Sequence, residues 1–205
     1  MTEILPATPE GLAAAAEMMA EGHLVAFPTD TVYGVACAFG RDEQRSDLVK
    51  LKGRPEDKPI PVLIAEASQV TAAGYILDER ARRLAGRWWP GPLTLVLPAS
   101  DGGEALGFRV PAHDVALALI RLAGPLLATS ANRSGEPETL GADEVQIAFA
   151  VHSDLLAAVI DGGPAPGGTA STVVDLTAEP ARLLREGAIS RQAVAEVVDL
   201  EPTID

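Results

Sequence analysis

Eight short apolar runs, each too short for a buried helix, punctuate the chain: LVAF (24–27), VACAF (35–39), IPVLI (60–64), LTLVL (93–97), LGFRV (106–110), LLAT (126–129), AAVI (157–160) and TVVDL (172–176). Runs of this length bounded by glycine, proline and polar residues are the signature of strands buried in a sheet. Between them lie segments with helical spacing. Thr8 followed by Pro9 reads as a cap with proline at the first helical position, before Leu12, Ala15, Ala16 and Met19. Further helices are expected at Asp42 to Lys52, at Asp114 to Leu122, at Ala142 to Ala150 and after a Ser190 cap, with one or two helices between Ala67 and Arg87. This mixed order predicts an α/β layered fold, a sheet with flanking helices.

The nineteen glycines and sixteen prolines collect at joints such as WPGP (89–92) and GGPAPGG (162–168), and neither joint is long enough for an interdomain linker. One domain over residues 1–205 is therefore expected, with its core at about 8–198 and a frayed end at EPTID. No apolar run approaches the ~20 residues of a membrane helix, and MTEILPATPE lacks the features of a secretory signal, so the expected location is the cytoplasm. Cys37 is the single cysteine, which rules out an intrachain disulfide and a cysteine-based zinc site within one chain. His23, His113 and His152 show no ligand spacing. The net charge of -13 opposes nonspecific binding to a polyphosphate chain, yet five basic residues fall between Arg45 and Lys58. Such an island suits a confined anion site.

Lys52-Gly53-Arg54-Pro55 sets a compact ammonium and a forked guanidinium beside a helix stop, a pairing suited to phosphate oxygens or, equally, to a solvated helix end. Thr129-Ser130-Ala131-Asn132 follows an apolar strand, where open α/β sheets place ligands, although NRSG chemistry can also simply close a turn. In PTDTVYG, the hydroxyls of Thr29, Thr31 and Tyr33 alternate and would share one side of an extended segment. Arg109, inside GFRVP, is a candidate for holding a carboxylate or for an outward strand position. There is no P-loop sequence and no G-x-S-x-G elbow.

Taken in order, PTDTVYG (28–34), KGRPEDKPIPVLI (52–64), WPGPLTLVL (89–97), RVP (109–111), TSANRSGEP (129–137), STVVD (171–175) and LLREGAI (183–189) resemble the YrdC-like threonylcarbamoyl-AMP synthases. The resemblance implies a twisted sheet curved around a cavity. It implies a nucleotidyltransferase that joins L-threonine, bicarbonate and ATP into threonylcarbamoyl-AMP and pyrophosphate, for modification of the adenosine next to the tRNA anticodon. By the same resemblance, Lys52 and Arg54 act on the phosphates as catalytic cations. Ser130, Asn132 and Arg185 join them in binding ATP, Thr31, Arg109 and Ser171 bind threonine, and Thr29, Tyr33 and Thr129 shape the pocket. Magnesium would arrive with ATP rather than on a protein site. A downstream tRNA threonylcarbamoyl transferase would take the product, with weak or no direct tRNA binding. Leu63 stands where some relatives carry histidine. Longer relatives append a second domain, and the expectation here is the short form. The alternatives are a carbamoyl-adenylate former with another acceptor and a noncatalytic RNA-binding module.

Overall fold

The computed structural model describes residues 2–53, 55 and 59–202. Ten strands form one sheet in the order β1-β8-β2-β3-β7-β4-β6-β5-β9-β10. They are β1 (Glu3–Pro6), β2 (Leu24–Pro28), β3 (Tyr33–Ala38), β4 (Val62–Leu63), β5 (Leu93–Leu97), β6 (Leu106–Arg109), β7 (Leu126–Ser130), β8 (Leu156–Asp161), β9 (Thr172–Asp175) and β10 (Arg182–Arg185). Pairing is mixed: β1 with β8, β8 with β2, β4 with β6 and β5 with β9 are parallel, and the other neighbours are antiparallel. The helices are α1 (Pro9–Ala20), α2 (Asp42–Lys52), α3 (Ser68–Ala72), α4 (Glu79–Trp88), α5 (Asp114–Ala123), α6 (Ala142–Ala148) and α7 (Arg191–Ala195).

Local chemistry sets these boundaries. Thr8 accepts a hydrogen bond from the Gly11 amide, with Pro9 at the first position of α1. Asp78 and Ser190 cap α4 and α7 in the same way. Gly53 ends α2 in the left-handed conformation (φ 59°), which glycine adopts without a side-chain clash and which stops the helix just past Lys52.

Strand alternation then divides the core in two. In β2, Val25 and Phe27 face a cluster with Leu12, Ala15 and Met19 of α1 and Ala116, Leu119 and Ile120 of α5, while Leu24 and Ala26 face Leu48 and Leu51 of α2 and Leu84 of α4. Helices thus cover both faces of this part of the sheet. On the first face, α1 packs on β1, β8, β2 and β3, and α5 packs on β2. Farther along, at β7, β4, β6, β5 and β9, the sheet lines a cavity.

Two expectations change. Glu3–Pro6, placed in no element by its sequence, is an edge strand beside β8, and the LLREG segment, read as a turn, begins as the opposite edge strand β10. Each pairs on one side only. In β1 only Leu5 is buried, and in β10 no residue is, so neither shows an apolar alternation. IPVLI contributes only Val62–Leu63 as strand. Among the described residues, no helix is long and apolar enough to cross a membrane.

Candidate active site

A cavity of about 600 Å³ opens on the sheet between β3 and β9. Its floor is made by small or apolar strand residues, Gly34, Leu63, Val96, Gly107, Ala128 and Val173, which leave room above the strands. Ten sequence-predicted residues line it: Thr29, Thr31, Tyr33, Lys52, Arg109, Thr129, Ser130, Asn132, Ser171 and Arg185. They come from chain segments as much as 156 residues apart and converge because β3, β7, β6 and β9 lie near one another in the sheet. Arg54 lies outside the described residues.

At one wall, Lys52 is buried at the end of α2, 4% exposed. Its Nζ donates to the Ser130 carbonyl (2.6 Å), Ser130 Oγ (3.3 Å), Asn132 Oδ1 (3.1 Å) and the Asn132 carbonyl. Among the described residues four oxygens meet its three N–H groups, so the ammonium clasps the end of β7 to α2. The Asn132 amide is spent on the carbonyls of Arg133 (3.1 Å) and Glu136 (2.6 Å), closing the NRSG turn. Asn132 thus closes the turn and also lines the cavity. Ser130 Oγ keeps its own proton to offer.

The PTDTVYG segment is extended only at its ends, Pro28 in β2 and Tyr33–Gly34 in β3, and not through residues 29–32 as its alternation suggested. Thr29 Oγ1 donates to the Val32 carbonyl (2.6 Å) and accepts from the amides of Thr31 (3.2 Å) and Val32 (3.3 Å), folding residues 29–32 into a turn. A threonine hydroxyl at a strand end competes for backbone groups, which is why the alternation breaks here. With the Thr29 proton committed, the Thr31 hydroxyl donates in their 3.1 Å contact and turns lone pairs to the cavity. Tyr33 is fully buried and donates to the Gly163 carbonyl (2.7 Å), tying the loop after β8 to the cavity wall. Burial, helped by Asp161, raises its pKa.

Opposite, Arg109 ends β6, 9% exposed. Nε donates to the Gly91 carbonyl (3.1 Å) and Nη2 to Asp30 Oδ1 (2.6 Å), while Nη1 has no hydrogen bond among the described residues. Ser171 Oγ sits between Thr94 Oγ1 (3.0 Å) and Arg185 Nη2 (3.0 Å), and Arg185 Nε donates to the Ser171 carbonyl (2.9 Å). Burial lowers the Arg185 pKa, the nearby Arg109 lowers it further, and Glu138 opposes both. The arrangement can neutralise an anion from Lys52, Arg109 and Arg185 while offering hydroxyls to a small polar group.

Sequence reasoning missed Thr94, Asp30 and Glu138. A signal existed for the first: in LTLVL the leucines are fully or almost fully buried in the core, so alternation turns Thr94 and Val96 to the other face, which lines the cavity. Among the described residues no cluster of three histidine, cysteine or carboxylate side chains could hold a metal ion, and Glu138 is the only carboxylate among the residues lining the cavity.

Comparison with known proteins places this geometry. Residues 17–187 match the Sua5/YciO/YrdC family model, described as telomere recombination. A threonylcarbamoyl-AMP synthase of Pyrococcus abyssi is 40% identical over 90% of this chain and 56% of its own length, and one of Bacillus subtilis is 36% identical over 97% and 59%. The chain thus spans little more than half the length of these two relatives. A Mycobacterium tuberculosis protein is 35% identical over 93% of this chain and 90% of itself. The crystal structure of P. abyssi Sua5 complexed with L-threonine superposes with a TM-score of 0.87 at 36% identity, covering 98% of this chain and 63% of that one. Escherichia coli YciO, at 22% identity and a TM-score of 0.79, shares the fold. With its family model matched over most of the chain and its fold shared along nearly its whole length, this protein belongs to the Sua5/YciO/YrdC family.

Proposed function

We propose that this chain is an L-threonylcarbamoyladenylate synthase, a nucleotidyltransferase acting on L-threonine, bicarbonate and ATP. The observation that carries the reading is Arg109: a buried guanidinium, pinned along one edge, open at Nη1, and sharing a cavity with the hydroxyls of Thr31 and Ser171. An amino-acid carboxylate fits that open end. The Thr31 lone pairs suit a donor, either the substrate hydroxyl or its amine. Across the cavity, Lys52 supplies fixed positive charge and Ser130 a hydroxyl for the phosphates, while Arg185 adds a cation from the Arg109 wall, beside Ser171; Arg54 keeps the phosphate role that the family resemblance implies.

In the reaction, the threonine amine forms a bond to the bicarbonate carbon and water leaves, giving an N-carboxy group. An oxygen of that carboxylate then attacks the α-phosphorus, and the bond to pyrophosphate breaks. The protein's part is orientation and charge stabilisation, which need no enzyme nucleophile. Mg²⁺ would enter on ATP, where it neutralises phosphate charge. We place residues 1–205 in one YrdC-like domain, a reading supported by the single sheet whose flanking buried residues run from Leu5 to Val198. The cytoplasm is the proposed compartment, where ATP and a tRNA-modifying transferase are available to supply and consume the adenylate.

The test is mass spectrometry of a reaction containing the 205-residue chain, ATP, labelled bicarbonate and mixed amino acids. The expected product is labelled threonylcarbamoyl-AMP with one pyrophosphate per turnover. Release of ADP independent of threonine and bicarbonate refutes the assignment.

A further inference from the structure

Asp30 does not line the cavity, yet it is built into the wall directly behind Arg109. Its Oδ1 lies 2.6 Å from Arg109 Nη2, and the two side chains are 12% and 11% exposed. We propose that Asp30 is the positioning residue for Arg109, fixing which edge of the guanidinium faces the substrate. This inference rests on the threonine-site reading above and extends it to a residue that touches no substrate.

A guanidinium presents two bidentate edges, one made by Nε with Nη2 and one made by Nη1 with Nη2. Here the Nε–Nη2 edge is filled by the Gly91 carbonyl and the Asp30 carboxylate. Among the described residues nothing fills the end-on edge, which is left for a carboxylate in the cavity. Gly91 belongs to the WPGP joint, whose own amide donates to the Val110 carbonyl (2.8 Å), so two separate loops grip the arginine. A neutral carbonyl alone would orient Nε but leave the buried cation uncompensated. The carboxylate supplies the compensation, and in a site of low exposure a charged hydrogen bond is both stronger and more directional than a neutral one.

The loop carrying Asp30 is itself rigid. Thr29 Oγ1 bonds on either side of it, to the Thr31 and Val32 amides and the Val32 carbonyl. The other group facing Asp30 is His113, at the start of α5, whose Nδ1 is buried without a hydrogen bond. Burial lowers the His113 pKa more than Asp30 raises it. His113 therefore stays neutral near neutral pH and leaves Arg109 as the cation that Asp30 serves.

The experiment compares Asp30→Asn, Asp30→Glu, Arg109→Ala and the double variant Asp30→Asn/Arg109→Ala. Asp30→Asn is expected to raise the threonine KM about ten- to hundredfold, the range for loss of one charged hydrogen bond, with the ATP KM changed less than about twofold. Asp30→Glu, which keeps the charge, should recover part of the loss. Because Asp30 acts through Arg109, the double variant should be no worse than Arg109→Ala alone. Additive losses, equal effects on both KM values, or an unchanged threonine KM overturn the proposal. A second readout needs no activity: the Arg109 Nε–H resonance, identified by its loss in Arg109→Lys, should be sharp and slowly exchanging in the parent protein and broadened in Asp30→Asn. If the parent chain fails to use threonine, the functional reading fails, and the resonance alone decides the positioning role. Persistence of a sharp signal in Asp30→Asn overturns it.

Discussion

Lys52→Met separates charge from packing at the cavity wall, because methionine keeps the buried apolar stem and removes only the ammonium. The ammonium meets four oxygens on Ser130 and Asn132 with three N–H groups. Bonds from a charged donor net ~1.5–3 kcal/mol each, but removing the ammonium also relieves the cost of burying it, which brings the loss for three bonds to about 2–4 kcal/mol. Their acceptors border a cavity that water enters, so the loss stays near that range rather than reaching the full cost of orphaned buried carbonyls. For a domain of this size, thermal midpoints fall ~2–4 °C per kcal/mol, which predicts a drop of about 5–15 °C. The same change frees the end of β7, so the ATP KM should rise at least tenfold while the threonine KM moves less. Circular dichroism melting and pyrophosphate release check the two limbs. Lys52→Arg preserves charge but replaces a point donor with a planar fork, and it should recover little of either. A midpoint within 2 °C of the parent together with an unchanged ATP KM, or full recovery by Lys52→Arg, refutes the clasp.

Other perturbations give sharp outcomes. At Gly187 an added Cβ would sit 2.1 Å from the Ala170 carbonyl oxygen and 2.7 Å from the Thr172 amide nitrogen, so Gly187→Ala must push the 186–189 segment that follows β10 away. It should cost about 1–3 kcal/mol in melting experiments and weaken ATP use through Arg185. Arg109→Lys should raise the threonine KM much more than the ATP KM, and alanine should be a poorer acceptor than serine, both read by pyrophosphate release. Burial pushes the Cys37 thiol up to about 12. Native protein should resist iodoacetamide at pH 8 until unfolded, and stability should decline as pH rises from the ordinary thiol range toward 12, because the unfolded thiol ionises first. The His113 pKa is lowered, so its contribution runs the other way: present above 6.5 and lost on acidification, a limb that His113→Gln should flatten in pH-dependent melting.

Elements buried on both faces were legible because their apolar runs have no other use. LTLVL matches β5 residue for residue; α2, buried on one side only, matched Asp42 to Lys52 because Gly53 and Pro55 mark its stop. The edge strands were not, since β1 and β10 are defined by backbone pairing to β8 and β9 and carry little apolar pattern. In the site, the side chains themselves were legible but their partners were not. Asp30 and Arg109 stand 79 positions apart, and only the sheet order brings them to 2.6 Å. The turn at Thr29 was misread as extended because the same alternation of hydroxyls serves a strand or a Thr-capped turn.

To take ATP as proposed, an acidic chain must rely on short-range contacts, and the cavity is built to contain the opposing field. The net charge of -13 repels an anion at distance, but mobile ions screen that repulsion beyond ~10 Å at 0.1 M salt. Among the described residues lining the cavity, Lys52, Arg109 and Arg185 face one carboxylate, Glu138, because Asp30 is turned away behind Arg109. Each cation is anchored to protein oxygens, which keeps three like charges from separating or collapsing onto bulk solvent. The mutual cost surfaces in Arg185, whose pKa burial and Arg109 both lower. An incoming anion relieves that cost, so binding energy is concentrated where the phosphates and carboxylate sit and is absent from the rest of the surface. Nucleotide affinity should therefore depend weakly on salt, whereas a chain tracking RNA along a basic face would lose affinity steeply.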